Sequence, residues 1–127
     1  MSIEPNQTIK IDVQSRYIEE QSRPGDDHYV FAYTITIRNT GTVAARLMSR
    51  HWIITDADGG VQDIHGDGVV GQQPFLKPGE DFSYTSGTAL KTPVGSMQGS
   101  YQMRSEEGRH FDASIPPFSL AYPKLVH

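Results

Sequence analysis

Three side chains that often bind metal ions alternate along one short segment, namely Asp63, His65 and Asp67. In an extended strand, residues two apart point to the same face, so these three would lie side by side. An imidazole combined with carboxylates suits several divalent metals. A solvated strand face opposite Ile64 gives the same spacing and is the commoner arrangement. We therefore predict no cofactor, with a divalent metal at these three residues as the alternative.

A glycine-rich run follows at once. Gly66, Gly68 and Gly71 match the pattern G-x-G-x-x-G, in which glycines let backbone N–H groups approach a phosphate. A dinucleotide site also needs a helix opening from the run, and Pro74 disfavours helical geometry at the residue before it. Two interpretations stay open. We favour a tight loop after a strand, and the alternative is a loop that binds phosphate or a nucleotide.

Two apolar side chains, Phe75 and Leu76, lie between Pro74 and Pro78. The prolines fix backbone angles, so the loop is expected to be stiff. Such a loop either closes one end of the core or presents its apolar side chains to a partner. We predict contact with a protein partner through Phe75 and Leu76. The unpaired edge of a sheet is the other route by which a partner could bind.

Signatures of catalysis are missing from the sequence. It contains neither G-x-S-x-G nor H-E-x-x-H, and it has no cysteine. His28 and His110 each have an aspartate close in sequence, but both lie beside predicted turns, where such side chains usually meet water. We predict that the protein is not an enzyme.

Length and charge limit the remaining classes. The 127 residues fit a single domain, spanning 1–127, with 36% hydrophobic residues to form one core. Fifteen acidic and eleven basic residues give a net charge of −4, which makes nucleic acid a poor partner. The first twenty residues show no basic start followed by an apolar run, and no segment reaches the ~20 apolar residues of a membrane span. These features predict a cytoplasmic protein with no membrane insertion.

The elements that position these residues are strands. Apolar side chains recur with period two, and short segments rich in Gly, Pro, Asn and Asp separate the alternating runs. About seven short strands result, which predicts an all-β antiparallel sandwich with strands one, two and five in one sheet and three, four, six and seven in the other. Trp52 should anchor the core between the sheets. Strand pairing should stop at Pro116–Pro117, with Phe118 and Leu120 folding back onto the core. The alternating apolar positions are Ile9, Ile11 and Val13; Tyr29, Phe31, Tyr33, Ile35 and Ile37; Met48, Trp52 and Ile54; Phe82 and Tyr84; Met97, Tyr101 and Met103; Phe111, Ala113 and Ile115.

Several linked motifs resemble the ApaG family over nearly the whole chain. The longest is GDGVVGQQPFLKPGE at 66–80, followed by FSYTSG at 82–87 and LKTPVGSMQGSYQM at 90–103. Shorter matches are YTITIRN at 33–39, RHWIITD at 50–56 and IPPFSL at 115–120.

This resemblance implies an immunoglobulin- or fibronectin type III-like sandwich, found alone in bacteria and fused to other modules in eukaryotes. It implies a non-enzymatic binding module, most simply one for protein–protein interaction. The family is associated with cobalt resistance and magnesium efflux, hence with divalent cation homeostasis, and with diadenosine tetraphosphate metabolism. No catalytic residue comes with the resemblance.

Overall fold

The computed structural model describes residues 8–125, and these residues are almost entirely β-structure. The fold class predicted from the sequence is confirmed. One strand more than predicted is present, the two-residue β5. The strands are β1 (Ile9–Tyr17), β2 (Tyr29–Asn39), β3 (Ala45–Asp56), β4 (Val61–Asp67), β5 (Phe75–Leu76), β6 (Asp81–Leu90), β7 (Val94–Ser105) and β8 (His110–Ala121), and short 3₁₀ turns lie at Glu19–Gln21, Pro24–Asp26 and Pro123–Leu125.

The strands form two antiparallel sheets. Because β5 was not predicted, the predicted strands five, six and seven are β6, β7 and β8, and the strands divide between the sheets as predicted. One sheet has the order β1-β2-β6 and the other the order β4-β3-β7-β8, with β5 paired to β3. β2 and β3 follow one another in the chain yet lie at the centres of different sheets. The larger sheet has β8 at one edge, and β4 and β5 both pair with β3 at the other. No helix among the described residues is long and apolar enough to cross a membrane.

The core lies between the two sheets. Every second residue of β2 from Tyr29 to Ile37 is buried, and the residues between them are more exposed, as the alternation predicts. Trp52 of β3 is buried too, and its ring makes edge contacts with the rings of Tyr33 and Tyr101. Burying each such side chain contributes about 1.5–3 kcal/mol. The predicted role of Trp52 as a core anchor is confirmed.

A bulge in β3 changes which residues face the core. The pairing of β3 with β7 shifts register between Leu47 and Ser49, so Met48 is the extra residue. Ala45 and Leu47 are buried before the bulge, and Trp52 and Ile54 are buried after it. The prediction that Met48 belongs to the core alternation is wrong, because the inserted residue reverses the alternation and places Leu47 inside instead.

A second bulge carries β8 past its prolines. Pairing continues on both sides of Pro116–Pro117, with Ile115 opposite Gly99 and Phe118 opposite Met97. The prediction that pairing stops there is wrong. β8 is an edge strand, where a proline that lacks an N–H group can be accommodated at a bulge. Phe118 and Leu120 do pack onto the core, as predicted.

One buried polar side chain holds the end of β2. Asn39 is fully buried, and its amide nitrogen donates to the carbonyl oxygens of Val43 and Leu76, both at 2.9 Å. Its amide oxygen accepts a hydrogen bond from the N–H of Gly41 at 2.9 Å. Asn39 therefore ties the turn that follows β2 to β5.

A pair of tyrosines joins the two sheets inside the core. The hydroxyl groups of Tyr84 on β6 and Tyr101 on β7 hydrogen-bond to each other. Burial raises the pKa of Tyr84 to about 12 and raises the pKa of Tyr101 still further. Within residues 8–125, no buried side-chain nitrogen or oxygen lacks a hydrogen-bond partner.

Candidate functional site

Two histidines and an aspartate converge on the outer face of the larger sheet. His51 on β3 lies directly opposite His65 on β4, and Asp63 precedes His65 by two residues on the same strand. Both imidazoles contact one carboxylate oxygen, Asp63 Oδ1, at 2.8 Å from His51 Nε2 and 3.0 Å from His65 Nε2. The two rings are stacked with centroids 4.0 Å apart. We call these three residues the histidine cluster.

The histidine cluster differs by one residue from the predicted metal ligands. The ligand atoms of His51, Asp63 and His65 all lie within 4.8 Å of one another. Asp67 is not part of this group, since it lies opposite Ser49 further along β4. The sequence did contain a signal for His51. The segment at 56–60, DADGG, is typical of a hairpin turn and is centred on Asp58. His51 and His65 are each seven residues from that centre.

An open groove adjoins the histidine cluster. It has a volume of about 360 Å³, and His51 forms part of its wall together with Gln98, Ser100, Ser114 and Pro117. Pro116 and Pro117, at the register shift between β7 and β8, line the groove. A molecule in this groove would be next to the His51 ring.

The glycine-rich run forms a tight turn after β4. Val70 and Gly71 have positive φ values of 44° and 79°, and Val69 and Gln72 exchange backbone hydrogen bonds across the turn. At Gly68, where φ is +58°, a Cβ atom would lie 2.2 Å from the carbonyl oxygen of Gln72. This close contact is enough to explain why residue 68 is glycine.

The same turn uses several backbone donors internally. The N–H groups of Gly68, Val69 and Gln72 donate to carbonyl oxygens of the protein. Gly66 leaves room for the guanidinium of Arg50, which donates to the carbonyl oxygens of Asp67 and Gly68 at 3.0 and 2.8 Å. These contacts account for the glycines at 66 and 68 without a ligand. Phosphate or nucleotide binding by Gly66, Gly68 and Gly71 stays a prediction.

Phe75 and Leu76, the two apolar residues between Pro74 and Pro78, have separate roles. Leu76 pairs with Ala45 and is only 4% exposed, so it closes the core. Phe75 pairs with Arg46 and is 38% exposed. Of the two residues predicted to contact a partner, Leu76 is not accessible. The contact hypothesis therefore rests on Phe75.

Phe75 begins a row of exposed side chains across the larger sheet. Cross-strand partners share a face, and Phe75 lies opposite Arg46, Arg46 opposite Arg104, and Arg104 opposite His110. We call these four residues the basic row. All four are exposed, and no ion pair between 8 and 125 includes Arg46, Arg104 or His110. The sequence analysis missed this row because its members come from four strands.

The first two members of the row hold each other in place. The guanidinium carbon of Arg46 lies 5.1 Å from the centre of the Phe75 ring, a cation–π arrangement. Arg46 also donates to the carbonyl oxygen of Gln73 at 2.7 Å. The row ends at His110, because β8 is the edge strand of the sheet. The neighbouring outward-facing position of β8 is Asp112, which lies opposite Gln102.

Comparison with protein families gives a match over more than half of the chain. A family model described as the ApaG domain matches residues 19–105. A protein from Azoarcus sp. (strain BH72) named Protein ApaG is 61% identical over 127 residues, which is the whole of both chains. A protein of the same name from Thiobacillus denitrificans is 64% identical over 119 residues, 94% of each chain.

Solved structures agree with the fold. A crystal structure determined as a structural-genomics target shares 52% identity and a TM-score of 0.90, covering 96% of this chain and 92% of the other. A second crystal structure, of the putative ApaA protein from Bordetella pertussis, has 52% identity and a TM-score of 0.89, covering 91% and 94% of the two chains.

Proposed function

The chain belongs to the ApaG family, and from that premise we propose that it is a non-catalytic, cytoplasmic module that binds an acidic segment of another protein along the basic row. The family relatives are named without any reaction, which is compatible with a binding role. The single observation that carries the proposal is the register that aligns Phe75, Arg46, Arg104 and His110 on one exposed face.

The residue types in the row are those that dominate binding energies at protein interfaces. Aromatic and arginine side chains are over-represented among residues whose truncation strongly weakens binding. In this row they project from paired strands, and Arg46 already contacts the Phe75 ring. Less side-chain freedom is lost when such residues bind a partner than when flexible ones do.

Charge favours an acidic partner. The whole chain carries a net charge of −4, yet the row presents two arginines without an acidic partner among residues 8–125. Arginine forms paired hydrogen bonds to carboxylates, and complementary charge fixes the register of an interface. An extended segment with carboxylates and one apolar side chain would match the arginines and Phe75 together.

A titration with a short glutamate-rich peptide carrying one central phenylalanine tests this function. Amide resonances of Phe75, Arg46 and Arg104 should shift, because these residues would contact the peptide. The charge reversal Arg46→Glu should weaken binding by at least about tenfold, since it replaces attraction by repulsion at the centre of the row. NMR and calorimetry would measure the two effects.

Arg38→Glu is the matched control. Arg38 is also exposed and on a strand, but it pairs with Asp81 on the smaller sheet. Arg38→Glu changes the net charge by the same amount as Arg46→Glu. An equal loss of binding in the two variants would show nonspecific charge attraction and contradict the proposal. A peptide with glutamine in place of every glutamate should bind much more weakly. Equal binding of the two peptides would also contradict the acidic partner.

The neighbouring variants Phe75→Ala and Leu76→Ala should separate binding from stability. Phe75→Ala should weaken peptide binding by about 2 kcal/mol and change the free energy of unfolding little, because the ring is outside the core. Leu76→Ala should lower the free energy of unfolding by about 3 kcal/mol, because it leaves a cavity. Urea denaturation beside the titration gives both values. A Phe75→Ala protein that loses stability but retains binding would remove Phe75 from the interface.

A further inference from the structure

We propose that the histidine cluster binds one divalent ion of the later first-row metals, such as Ni²⁺, Cu²⁺ or Zn²⁺, through His51 Nε2, His65 Nε2 and a carboxylate oxygen of Asp63. This site is separate from the basic row, so it stands or falls independently of the function proposed above.

The geometry of the cluster directs three donor atoms to one point. Both Nε2 atoms lie within hydrogen-bond distance of the same carboxylate oxygen, at 2.8 and 3.0 Å. This convergence brings the three ligand atoms within 4.8 Å of one another. Both Nε2 atoms lie at the same end of the stacked ring pair, because both contact Asp63 Oδ1. The rings are 11° from parallel, so they must tilt towards each other for both lone pairs to reach one ion.

The spacing of these donors is close to that of ligands around a metal. Bonds from zinc to histidine nitrogen and carboxylate oxygen are about 2.0–2.2 Å, which places neighbouring ligand atoms roughly 3.0–3.5 Å apart. The Nε2 to Oδ1 distances need to lengthen by only a few tenths of an ångström. Each imidazole would then give the metal its Nε2 lone pair and carry its proton on Nδ1.

Two neighbouring strands hold the three ligands. His51 is on β3, the inner strand between β4 and β7, and its side chain is only 27% exposed. His65 and Asp63 are on β4, which is fixed to β3 by seven register pairs. A site built from two hydrogen-bonded strands is largely preformed, so little ordering is needed when the ion binds.

The ligand types select the class of metal. Imidazole suits zinc, copper and nickel, whereas magnesium and calcium favour sites made of oxygen atoms. Three protein ligands leave at least one position of the ion open. His51 also borders the groove of about 360 Å³, so a water or a small donor molecule in that groove could fill the open position.

The test starts from protein dialysed against a chelator and then titrated with Zn²⁺ by calorimetry. We expect one ion per chain. His51→Ala, His65→Ala and Asp63→Asn should each weaken Zn²⁺ binding by at least about tenfold. Zn²⁺ should also raise the melting temperature of the unaltered chain and not that of the variants, because an ion that binds only the folded state stabilises it. Circular dichroism checks that each variant is folded.

Two matched variants probe the assignment of ligands. Asp67→Asn changes an aspartate on the same strand, and His28→Ala removes an exposed histidine elsewhere; both should bind Zn²⁺ as tightly as the unaltered chain. Equal binding by all five variants would show adventitious surface binding and overturn the proposal. Displacement of Zn²⁺ by equal concentrations of Mg²⁺ would show an oxygen site and overturn it as well.

Discussion

Replacing Asn39 with aspartate, which exchanges one nitrogen atom for oxygen, should lower the free energy of unfolding at neutral pH by about 4 kcal/mol or more. The amide nitrogen of Asn39 donates to two carbonyl oxygens in a fully buried position. Aspartate has nearly the same shape but would place a carboxylate oxygen against those two acceptors. A buried charge without a partner is then added to two lost hydrogen bonds.

The pH dependence of this variant identifies the cause. A carboxyl buried against acceptors has its folded-state pKa raised above the unfolded value of about 3.9. The fold favours the protonated form of this carboxyl. The free energy of unfolding of the variant should therefore rise towards that of the unaltered chain as the pH falls, and decrease again as the pH rises. Urea denaturation of Asn39→Asp and the unaltered chain at about pH 4 and pH 7 measures the difference. A deficit that does not change with pH would contradict this explanation.

Two further variants calibrate the result. Asn39→Ala leaves the Val43 and Leu76 carbonyl oxygens and the Gly41 N–H without their partner, which should lower the free energy of unfolding by about 3 kcal/mol. Thr40 follows Asn39 in the chain, and Thr40→Ala removes an exposed hydrogen bond from its hydroxyl group to the carbonyl oxygen of Thr8. It should change stability by less than about 1 kcal/mol. Similar losses in both would contradict the role given to Asn39.

Alkaline pH should unfold the protein through its two buried phenols. Tyrosine in an unfolded chain ionises near pH 10, whereas burial raises the pKa of Tyr84 to about 12 and that of Tyr101 further. Their contribution to stability is therefore fully present below about pH 10 and is lost as the pH rises through the folded pKa values. Each phenol should lower the free energy of unfolding by about 1.4 kcal/mol per pH unit in this range. Together they give a slope of about 2.7 kcal/mol per pH unit.

Urea denaturation between about pH 9 and pH 11.5 would measure this slope, and the tyrosinate absorbance would report ionisation. Tyr101→Phe should roughly halve the slope, although it costs about 1 kcal/mol at neutral pH because Tyr84 loses its partner. Tyr17→Phe removes a tyrosine at the surface of the core and serves as the matched control. A slope that is unchanged in Tyr101→Phe would mean that other groups cause the alkaline unfolding.

Periodicity was enough to predict the strands where alternation is unbroken. β2 shows this most clearly, because Phe31, Ile35 and Ile37 are all buried as expected. It failed at Met48 and at Pro116–Pro117, where one additional residue reverses the alternation. A bulge has no fixed sequence pattern, since its position depends on the partner strand.

The candidate sites depend on register, which a single sequence gives only next to a short hairpin. His51 and His65 could have been paired from the turn at 56–60, because the two strands of a hairpin are symmetrical about their turn. The basic row could not, since Arg46 and Arg104 are 58 residues apart and meet only when β3 and β7 pair. Leu76 was misassigned for a similar reason: its burial follows from a two-residue pairing with β3.

The separation of β2 and β3 into different sheets also bears on how fast the chain folds. The central pairings join distant segments: Ile35 lies opposite Tyr84 and Trp52 opposite Gly99, in each case with nearly fifty residues between them. Closing such loops loses chain entropy before any packing compensates for it. Domains dominated by pairings of this kind fold in milliseconds to seconds. The hairpins β3–β4 and β7–β8 are the local units that can form early, so the histidine cluster assembles within one hairpin while the basic row must wait for the whole sheet.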